Sequence, residues 1–294
     1  VITLTGGEEY TVDADFTFTD PGATAADYLG VDLSDRITVA GEVTAYLVGT
    51  YRLTYTVTDD YGNTTTAIRT VTVKPVDMPE IVMPPEKTIY LTFDDGPCAN
   101  TELLLDVLKK YDVKVTFFVV GEMAERGREH IIRRAYEEGH SIGIHCYTHT
   151  YRTIYASEEA YFADFLAMQQ IIYEQTGTYT HIFRFPGGSA NTSSRFNKGI
   201  MTRLTKIMKD MGYRYFDWNV SAGDSGERQE TEVYRQRICG SLSRHQDFAI
   251  VLQHDLKRNS VLAVESVIKW ALARGYTFRA LDLTSPVLES NVQN

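Results

Sequence analysis

Between Thr88 and the end of the chain, seven short apolar runs are separated by six helical patterns. That alternation constrains the fold more than any other feature. The runs cover 88–93, 114–120, 141–145, 181–185, 213–218, 248–253 and 276–281, and the helical patterns cover 101–111, 122–138, 157–176, 194–211, 231–243 and 260–274. The pattern over 101–111 starts at Asn100 or Thr101 as cap and places Leu104, Val107, Leu108 and Tyr111 at helical spacing. Strands that alternate with helices build a parallel sheet, here closed or nearly closed into a barrel, whose chemistry sits at the C-terminal ends of the strands.

Residues 1–74 have another texture. They are rich in Thr, Val and Tyr, and short β-type runs recur at Glu9–Val12, Ile37–Ala40, Gly49–Thr58 and Thr65–Val73, with turn signals such as Asp20-Pro21-Gly22 between them. Tyr51, Leu53, Tyr55 and Val57 alternate with Arg52, Thr54, Thr56 and Thr58, the period of a half-buried strand. Short strands with frequent turns form a small β-sandwich. Residues 75–87 hold Pro75, Pro79, Pro84 and Pro85, half of the eight prolines. A segment so rich in proline is extended and semi-rigid, which makes it a linker between a first domain at 1–74 and a second at 88–294.

Charge narrows the function classes. The net charge is −10, and the chain has no basic cluster, which excludes a nucleic-acid partner. No apolar run approaches the roughly 18–20 residues of a membrane span. Three cysteines, Cys98, Cys146 and Cys239, are too few for a disulfide scaffold. Because it begins at Val1 with neither Met nor a signal-peptide pattern, the chain reads as a trimmed or mature fragment. It carries no signal of oligomeric state.

Several reactive residues fall at the ends of the apolar runs. The first run ends in Asp94-Asp95, followed by the turn Gly96-Pro97. Asp disfavours strands, and alternation along the strand sends the two carboxylates to opposite sides. The third run leads into His145-Cys146-Tyr147-Thr148-His149. Two histidines four apart can meet one metal ion from a helical turn or a tight loop. Cys146 stands where a zincin protease needs Glu, so that reading fails. The fourth run ends in Phe183-Arg184-Phe185-Pro186-Gly187-Gly188 and the sixth in Val251-Leu252-Gln253-His254-Asp255. His130, His140, His181 and His245 lie in helical patterns or at run starts and read as surface or structural residues.

The ordered set Thr92-Phe93-Asp94-Asp95-Gly96-Pro97, His145 to His149, Arg184 to Gly188, Asp217 to Asp224 and Val251 to Asp255 resembles the motifs of the polysaccharide deacetylases, the NodB-homology enzymes of carbohydrate esterase family four. The match spans about residues 87–283. The resemblance implies a distorted (β/α)7 barrel that uses a divalent metal, zinc first and cobalt or another ion as alternatives, to remove acetyl groups from polysaccharides. It implies Asp95, His145 and His149 as metal ligands, Asp94 as general base, Arg184 as its partner and His254 as general acid. Gly187 would supply an oxyanion N–H, Leu252 would line the acetyl pocket, and Trp218 is a further substrate contact. Residues 1–74 resemble the immunoglobulin-like modules of bacterial surface proteins, which implies a secreted or wall-associated protein in which they act as a spacer.

Two positions depart from the family pattern. Cys146 replaces a Ser or Thr, and a Cys98–Cys146 disulfide is one consequence weighed for it. The carboxylate that supports His254 is left open: the family's Asp-x-x-Asp-Trp arrangement has its first Asp tune the catalytic His, and the best register puts Ser221 at that Asp and Ser225 at the Trp while it keeps Asp224, with Asp217 and Trp218 just upstream as substitutes. The expected activity is N-deacetylation of N-acetylglucosamine units in a cell-wall polysaccharide, with peptidoglycan as the first substrate. An acetylxylan or other carbohydrate O-acetyl esterase, and a non-catalytic glycan-binding surface protein, are the alternatives.

Overall fold

The alternation at 49–58 folds as a half-buried strand should, with Leu53, Tyr55 and Val57 inward. A computed structural model describes all residues of the chain except Phe16 and Gln246. It divides into two units, Val1–Met78 with Lys206–Gly212, and Pro79–Thr205 with Tyr213–Asn294.

The first unit contains strands β1 (Ile2–Leu4), β2 (Glu9–Asp13), β3 (Ala23–Ala25), β4 (Thr38–Ala40), β5 (Gly49–Thr58) and β6 (Thr64–Lys74). β1 and β3 pair with each other, and the other four form a sheet in the order β2-β6-β5-β4. Ile2, Leu4 and Ala23 from the small pair pack on Leu53, Tyr55 and Val71 from the larger sheet, so the two layers share one apolar cluster.

The register of β6 turns Ile68 outward and buries Arg69. The guanidinium is satisfied by the Asp20 carboxylate, the Tyr55 hydroxyl and the carbonyls of Thr5, Gly7 and Gly22. Arg69 thus ties the loops before β2 and β3 to the main sheet. Arg69→Met keeps the bulk but strands these acceptors. It is expected to destabilise this unit by about 3 kcal/mol, read as faster hydrogen exchange at the paired amides of β5 and β6. Unchanged exchange would mean that the cluster is dispensable.

In the second unit the strands are β7 (Thr88–Asp94), β8 (Thr116–Val120), β9 (Ser141–Cys146), β10 (Ile182–Phe183), β11 (Arg214–Tyr215), β12 (Val220–Ser221), β13 (Phe248–His254) and β14 (Thr277–Phe278). The helices are α1 (Ala99–Tyr111), α2 (Gly121–Ala124), α3 (Glu129–Glu137), α4 (Tyr151–Ile154), α5 (Glu158–Thr176), α6 (Ile200–Asp210, whose residues from Lys206 on are counted with the first unit), α7 (Thr231–Leu242) and α8 (Arg258–Leu272). Every strand pair in this sheet is parallel, in the order β11-β10-β9-β8-β7-β13-β12, with β14 added beside β7. All seven residues of β7 are buried, as a central parallel strand covered on both faces requires.

The sheet curls. Laid flat, seven strands would hold their outer members about 29 Å apart. Yet β11 and β12, the two ends of the order, are joined by the four residues Phe216 to Asn219, which reach only about 17 Å. The connector is tied to the strand next to each edge, since Phe216 N–H donates to Phe183 O of β10 at 3.1 Å and Asn219 N–H to Ile250 O of β13 at 3.2 Å. Tyr90, Phe118, Ile182, Phe216, Ile250 and Leu281 form a core cluster against this sheet.

Several details differ from the sequence expectation. The short β12 lies outside every expected run, and it rather than 276–281 supplies the seventh strand of the ordered path. The pattern at 122–138 is broken into α2 and α3 around Gly127, which has φ +78°. α1 is capped by Cys98, not by Asn100 or Thr101; the Thr101 hydroxyl instead accepts the Cys98 N–H at 2.8 Å. Among the described residues, no helix is long and apolar enough to cross a membrane.

Candidate metal and catalytic site

The strand ends bring the reactive side chains together. A cleft of about 450 Å³ takes in Asp94, Asp95, His145, His149 and His254, and its walls include Gly187, Leu252 and Trp218.

Asp94 is the last residue of β7, and Asp95 follows at φ +74°. This left-handed turn breaks the strand alternation, so both carboxylates face one cleft instead of opposite sides. Asp tolerates the conformation better than most residues. On β9, Val119 pairs with Ile144 and Val120 with Cys146, leaving His145 in a bulge. A bulge re-aims a side chain at the rim of a sheet. Its Nδ1 lies 2.8 Å from the Arg184 carbonyl, so Nδ1 carries the proton and Nε2 presents its lone pair to the cleft. Burial pushes the His145 pKa down despite the nearby charges of Asp94 and Asp95, which keeps the ring neutral. His149, with φ +53°, turns its own Nε2 toward the same point.

Asp95 Oδ1 lies 3.5 Å from His145 Nε2 and 3.3 Å from His149 Nε2. It is buried and has no hydrogen-bond partner. An unpaired buried carboxylate oxygen facing two imidazole lone pairs is costly without a cation. Four-coordinate zinc with bonds of about 2.0–2.2 Å spaces its donors about 3.3–3.6 Å apart, so this one-carboxylate, two-imidazole set fits such an ion. Among the described residues, this is the one group of His, Cys, Asp and Glu side chains spaced to hold a metal.

Asp94 is held apart from that triad. Arg184 Nη1 donates to Asp94 Oδ1 at 2.8 Å and to the Thr92 hydroxyl at 2.6 Å, and Nε donates to Phe216 O at 2.6 Å. The guanidinium lies over the rings of Phe118 and Trp218, at 4.4 and 5.5 Å from their centroids. Both ionic partners are buried, so each depends on the other. Asp94 Oδ2, 3.9 Å from His145 Nε2, receives no hydrogen bond from Arg184.

At the end of β13, His254 Nδ1 lies 2.7 Å from Asp224 Oδ1. Asp224 Oδ2 accepts the His254 N–H at 2.9 Å and the Ser260 hydroxyl at 2.5 Å. Burial alone would lower the His254 pKa, but the Asp224 hydrogen bond and the charges of Asp94, Asp224 and Asp95 outweigh it and raise it to about 9. Of the two candidate carboxylates, Asp224 is therefore the one in contact with His254. Asp217 has other partners: it accepts the Ser189 N–H, the Ser189 hydroxyl and the Ser290 N–H, at 3.0, 2.5 and 2.8 Å, and so braces the loop after β10. Ser225 lines the cleft, whereas the Ser221 hydroxyl accepts the Gly223 N–H at 3.0 Å.

All three cysteines are free, so the Cys98–Cys146 bridge is not formed. The Cys146 thiol is fully buried and its pKa is pushed well up, first by burial and then by Asp164, which leaves it a protonated packing group. His140 is likewise structural: buried, with its pKa lowered to about 4, it accepts the Val115 N–H at 3.2 Å.

Asp164 on α5 was missed by the motif reading. Its carboxylate accepts Tyr147 N–H at 2.6 Å, Thr148 N–H at 2.9 Å and the Thr148 hydroxyl at 2.8 Å, clamping the loop between the two histidines. The available signal was a charge within the buried stripe Tyr161, Phe165, Met168 and Ile172. Asp164→Asn replaces one acceptor oxygen with a donor. It is expected to weaken zinc binding about 10–100-fold, measured by competition with a chromogenic chelator, with Asp164→Glu recovering part of the loss. Unchanged affinity would reduce Asp164 to a folding residue. Asp255 was also passed over. It is buried beneath the Gly96 turn, its carboxylate takes the Thr101 hydroxyl, and burial raises its pKa to about 7. A Cβ on Gly96 would collide with it.

The chain is similar to several known proteins. Residues 82–216 match the family model described as polysaccharide deacetylase, and residues 2–73 match that of the bacterial surface protein Ig-like domain. The solved catalytic domain of a peptidoglycan N-acetylglucosamine deacetylase from Eubacterium rectale is 44% identical, with a TM-score of 0.71, over 74% of this chain and 98% of that one. The peptidoglycan-N-acetylglucosamine deacetylase PgdA of Listeria monocytogenes is 30% identical over 211 residues, 70% of this chain and 41% of that protein. A peptidoglycan-N-acetylglucosamine deacetylase of Bacillus cereus is 29% identical over 199 residues, 66% of this chain and 69% of that one. The chain thus spans less than half of the Listeria protein.

Proposed function

The chain belongs to the polysaccharide deacetylase family, and on that premise we propose that it is a metal-dependent hydrolase removing N-acetyl groups from N-acetylglucosamine units of peptidoglycan. The observation that carries this reading is the buried, unpartnered Asp95 Oδ1 facing two histidine nitrogens. It is flanked by a carboxylate paired with Arg184 and by a histidine paired with Asp224.

Asp95, His145 and His149 would hold the ion, with zinc as our assignment. When bound, it supplies Lewis acidity to the acetyl carbonyl and acidifies the attacking water. Asp94 Oδ2 takes one proton from that water, while Arg184 keeps Oδ1 and so fixes which oxygen acts. The water oxygen bonds to the acetyl carbon, and the Gly187 N–H donates to the oxygen that gains charge. His254, protonated at neutral pH, gives its proton to the sugar nitrogen as the carbon–nitrogen bond breaks. Acetate and a free amine leave. Leu252 and Trp218 form the apolar wall against the acetyl methyl and the sugar.

We read the second unit as the distorted (β/α)7 barrel of the family and the first as an immunoglobulin-like sandwich that serves as a spacer, with 75–87 as the linker. The match of residues 2–73 supports a secreted or wall-associated setting.

Acetate release tests the reading. Peptidoglycan, acetylated chito-oligosaccharides and acetylxylan are each incubated with the protein, with and without a chelator. The expected result is release from peptidoglycan that stops on chelation and returns with zinc. Silence on all three substrates, or release indifferent to chelation, would overturn it.

A further inference from the structure

Tyr151 is among the polar residues of the cleft that the mechanism leaves without a role. Tyr151 opens α4, two residues after His149, and lines the cleft with Asp95, His145 and Gly187. Its ring meets His149 edge-on at 5.4 Å and stacks on Tyr155 at 6.2 Å. Tyr155 is fully buried, and its hydroxyl donates to Pro186 O at 2.9 Å. The Tyr151 ring is therefore fixed between a metal-site histidine and the residue that anchors the turn at Gly187.

Gly187 shows where the hydroxyl points. At φ +77° this residue favours glycine, and a Cβ there would stand 3.2 Å from Tyr151 Oη and 3.0 Å from Asn191 Cβ. The Tyr151 hydroxyl thus lies beside the Gly187 backbone, in space a side chain at 187 would take. Among the described residues, neither the Gly187 N–H nor the Tyr151 hydroxyl has a hydrogen-bond partner within the protein. Two neighbouring donors without acceptors border one cleft, next to the metal-ligand triad.

We propose that Tyr151 is a catalytic residue whose hydroxyl donates a hydrogen bond to the acetyl oxygen as it becomes the tetrahedral oxyanion, in company with the Gly187 N–H. The proposal rests on the deacetylase reading above. No proton is transferred: Tyr151 remains a phenol throughout, and the bonds made and broken are those of the hydrolysis. A donor aimed at charge that develops only in the transition state acts on kcat more than on KM. A donor to a sugar hydroxyl would instead act on KM alone.

Tyr151→Phe keeps both ring contacts and deletes only a hydroxyl with no protein partner, so its melting temperature and zinc content should equal those of the wild type. The zinc-loaded variant is expected to lose about 10–100-fold in kcat with KM nearly unchanged. Its affinity for a methylphosphonamidate analogue of the acetylated chito-oligosaccharide should fall by the same factor. An unchanged kcat, or a loss confined to KM, would overturn the assignment while wild-type turnover leaves the deacetylase reading standing. A wild-type protein that releases no acetate from any substrate overturns both.

Discussion

Asp94→Asn is expected to lower kcat by roughly 10³-fold while leaving zinc in place. The substitution preserves shape but removes the carboxylate that, in the proposed mechanism, takes the proton of the attacking water. Arg184 reaches Asp94 Oδ1 at 2.8 Å, and the other oxygen receives no hydrogen bond from it; an amide in that position has no comparable basicity at either atom. The residues proposed to hold the metal are others. Asp95 Oδ1 sits 3.3–3.5 Å from the two histidine nitrogens, whereas the closest approach of Asp94 to that triad is 3.9 Å, to His145. Zinc stoichiometry by elemental analysis should therefore match the wild type. A second consequence follows from burial. Arg184 is fully buried, and among the described residues Asp94 is its one carboxylate partner. Neutralising that partner leaves an uncompensated charge, so the variant should also be less stable, by about 3 kcal/mol. Substantial turnover in Asp94→Asn would remove Asp94 as the base. Loss of zinc would mean that the two adjacent aspartates do not divide their tasks.

That division was only partly legible in the sequence. The five motifs sit at strand ends because a parallel strand–helix alternation places its chemistry there, so Asp94, Asp95, His145, His149, Arg184 and His254 could be singled out as candidates from position, while their separate roles came from the resemblance to the family. Period-2 alternation failed at Asp95, because a left-handed backbone at that residue returns its side chain to the cleft. Nothing local announces a positive φ at Asp. The choice between Asp217 and Asp224 depended on the connector that passes from one sheet edge to the other. The two-residue β12 that fixes this path is too short to carry a period. Asp217 precedes it and turns to Ser189 and Ser290, and Asp224 follows it and meets His254. Asp164 was hidden for a different reason: a side chain 16 residues downstream, on α5, contributes one buried charge to the loop between the two histidines, and no motif spans that separation. Arg69 is the counterpart in the first unit, since strand register overrode hydropathy and exposed Ile68 in its place.

Asp224→Asn should lower kcat at pH 8 by about 10²–10³-fold and move the alkaline limb of the pH profile toward acid. His254 holds its proton up to about pH 9 because of a balance. Burial favours the neutral ring, and the Asp224 hydrogen bond and the surrounding carboxylate charges favour the cation more strongly. The proton that His254 is proposed to donate is therefore present at neutral pH and is lost as pH rises through about 9. Removing the Asp224 charge leaves burial with less opposition, so the folded-state pKa falls and the limb must move down, not up. Tautomer compounds the effect. Asp224 Oδ2 already accepts the His254 N–H and the Ser260 hydroxyl. The Asn carbonyl would take that place and turn its NH₂ toward His254 Nδ1, which can then no longer carry a proton. The ring is pushed to the neutral form, a far weaker acid at its other nitrogen. The pH dependence of kcat, measured on zinc-loaded wild type and variant, separates this from simple loss of fold. A depressed profile with the limb still near pH 9 would show that Asp224 positions the ring without setting its proton affinity. An unchanged rate would show that another group protonates the leaving nitrogen.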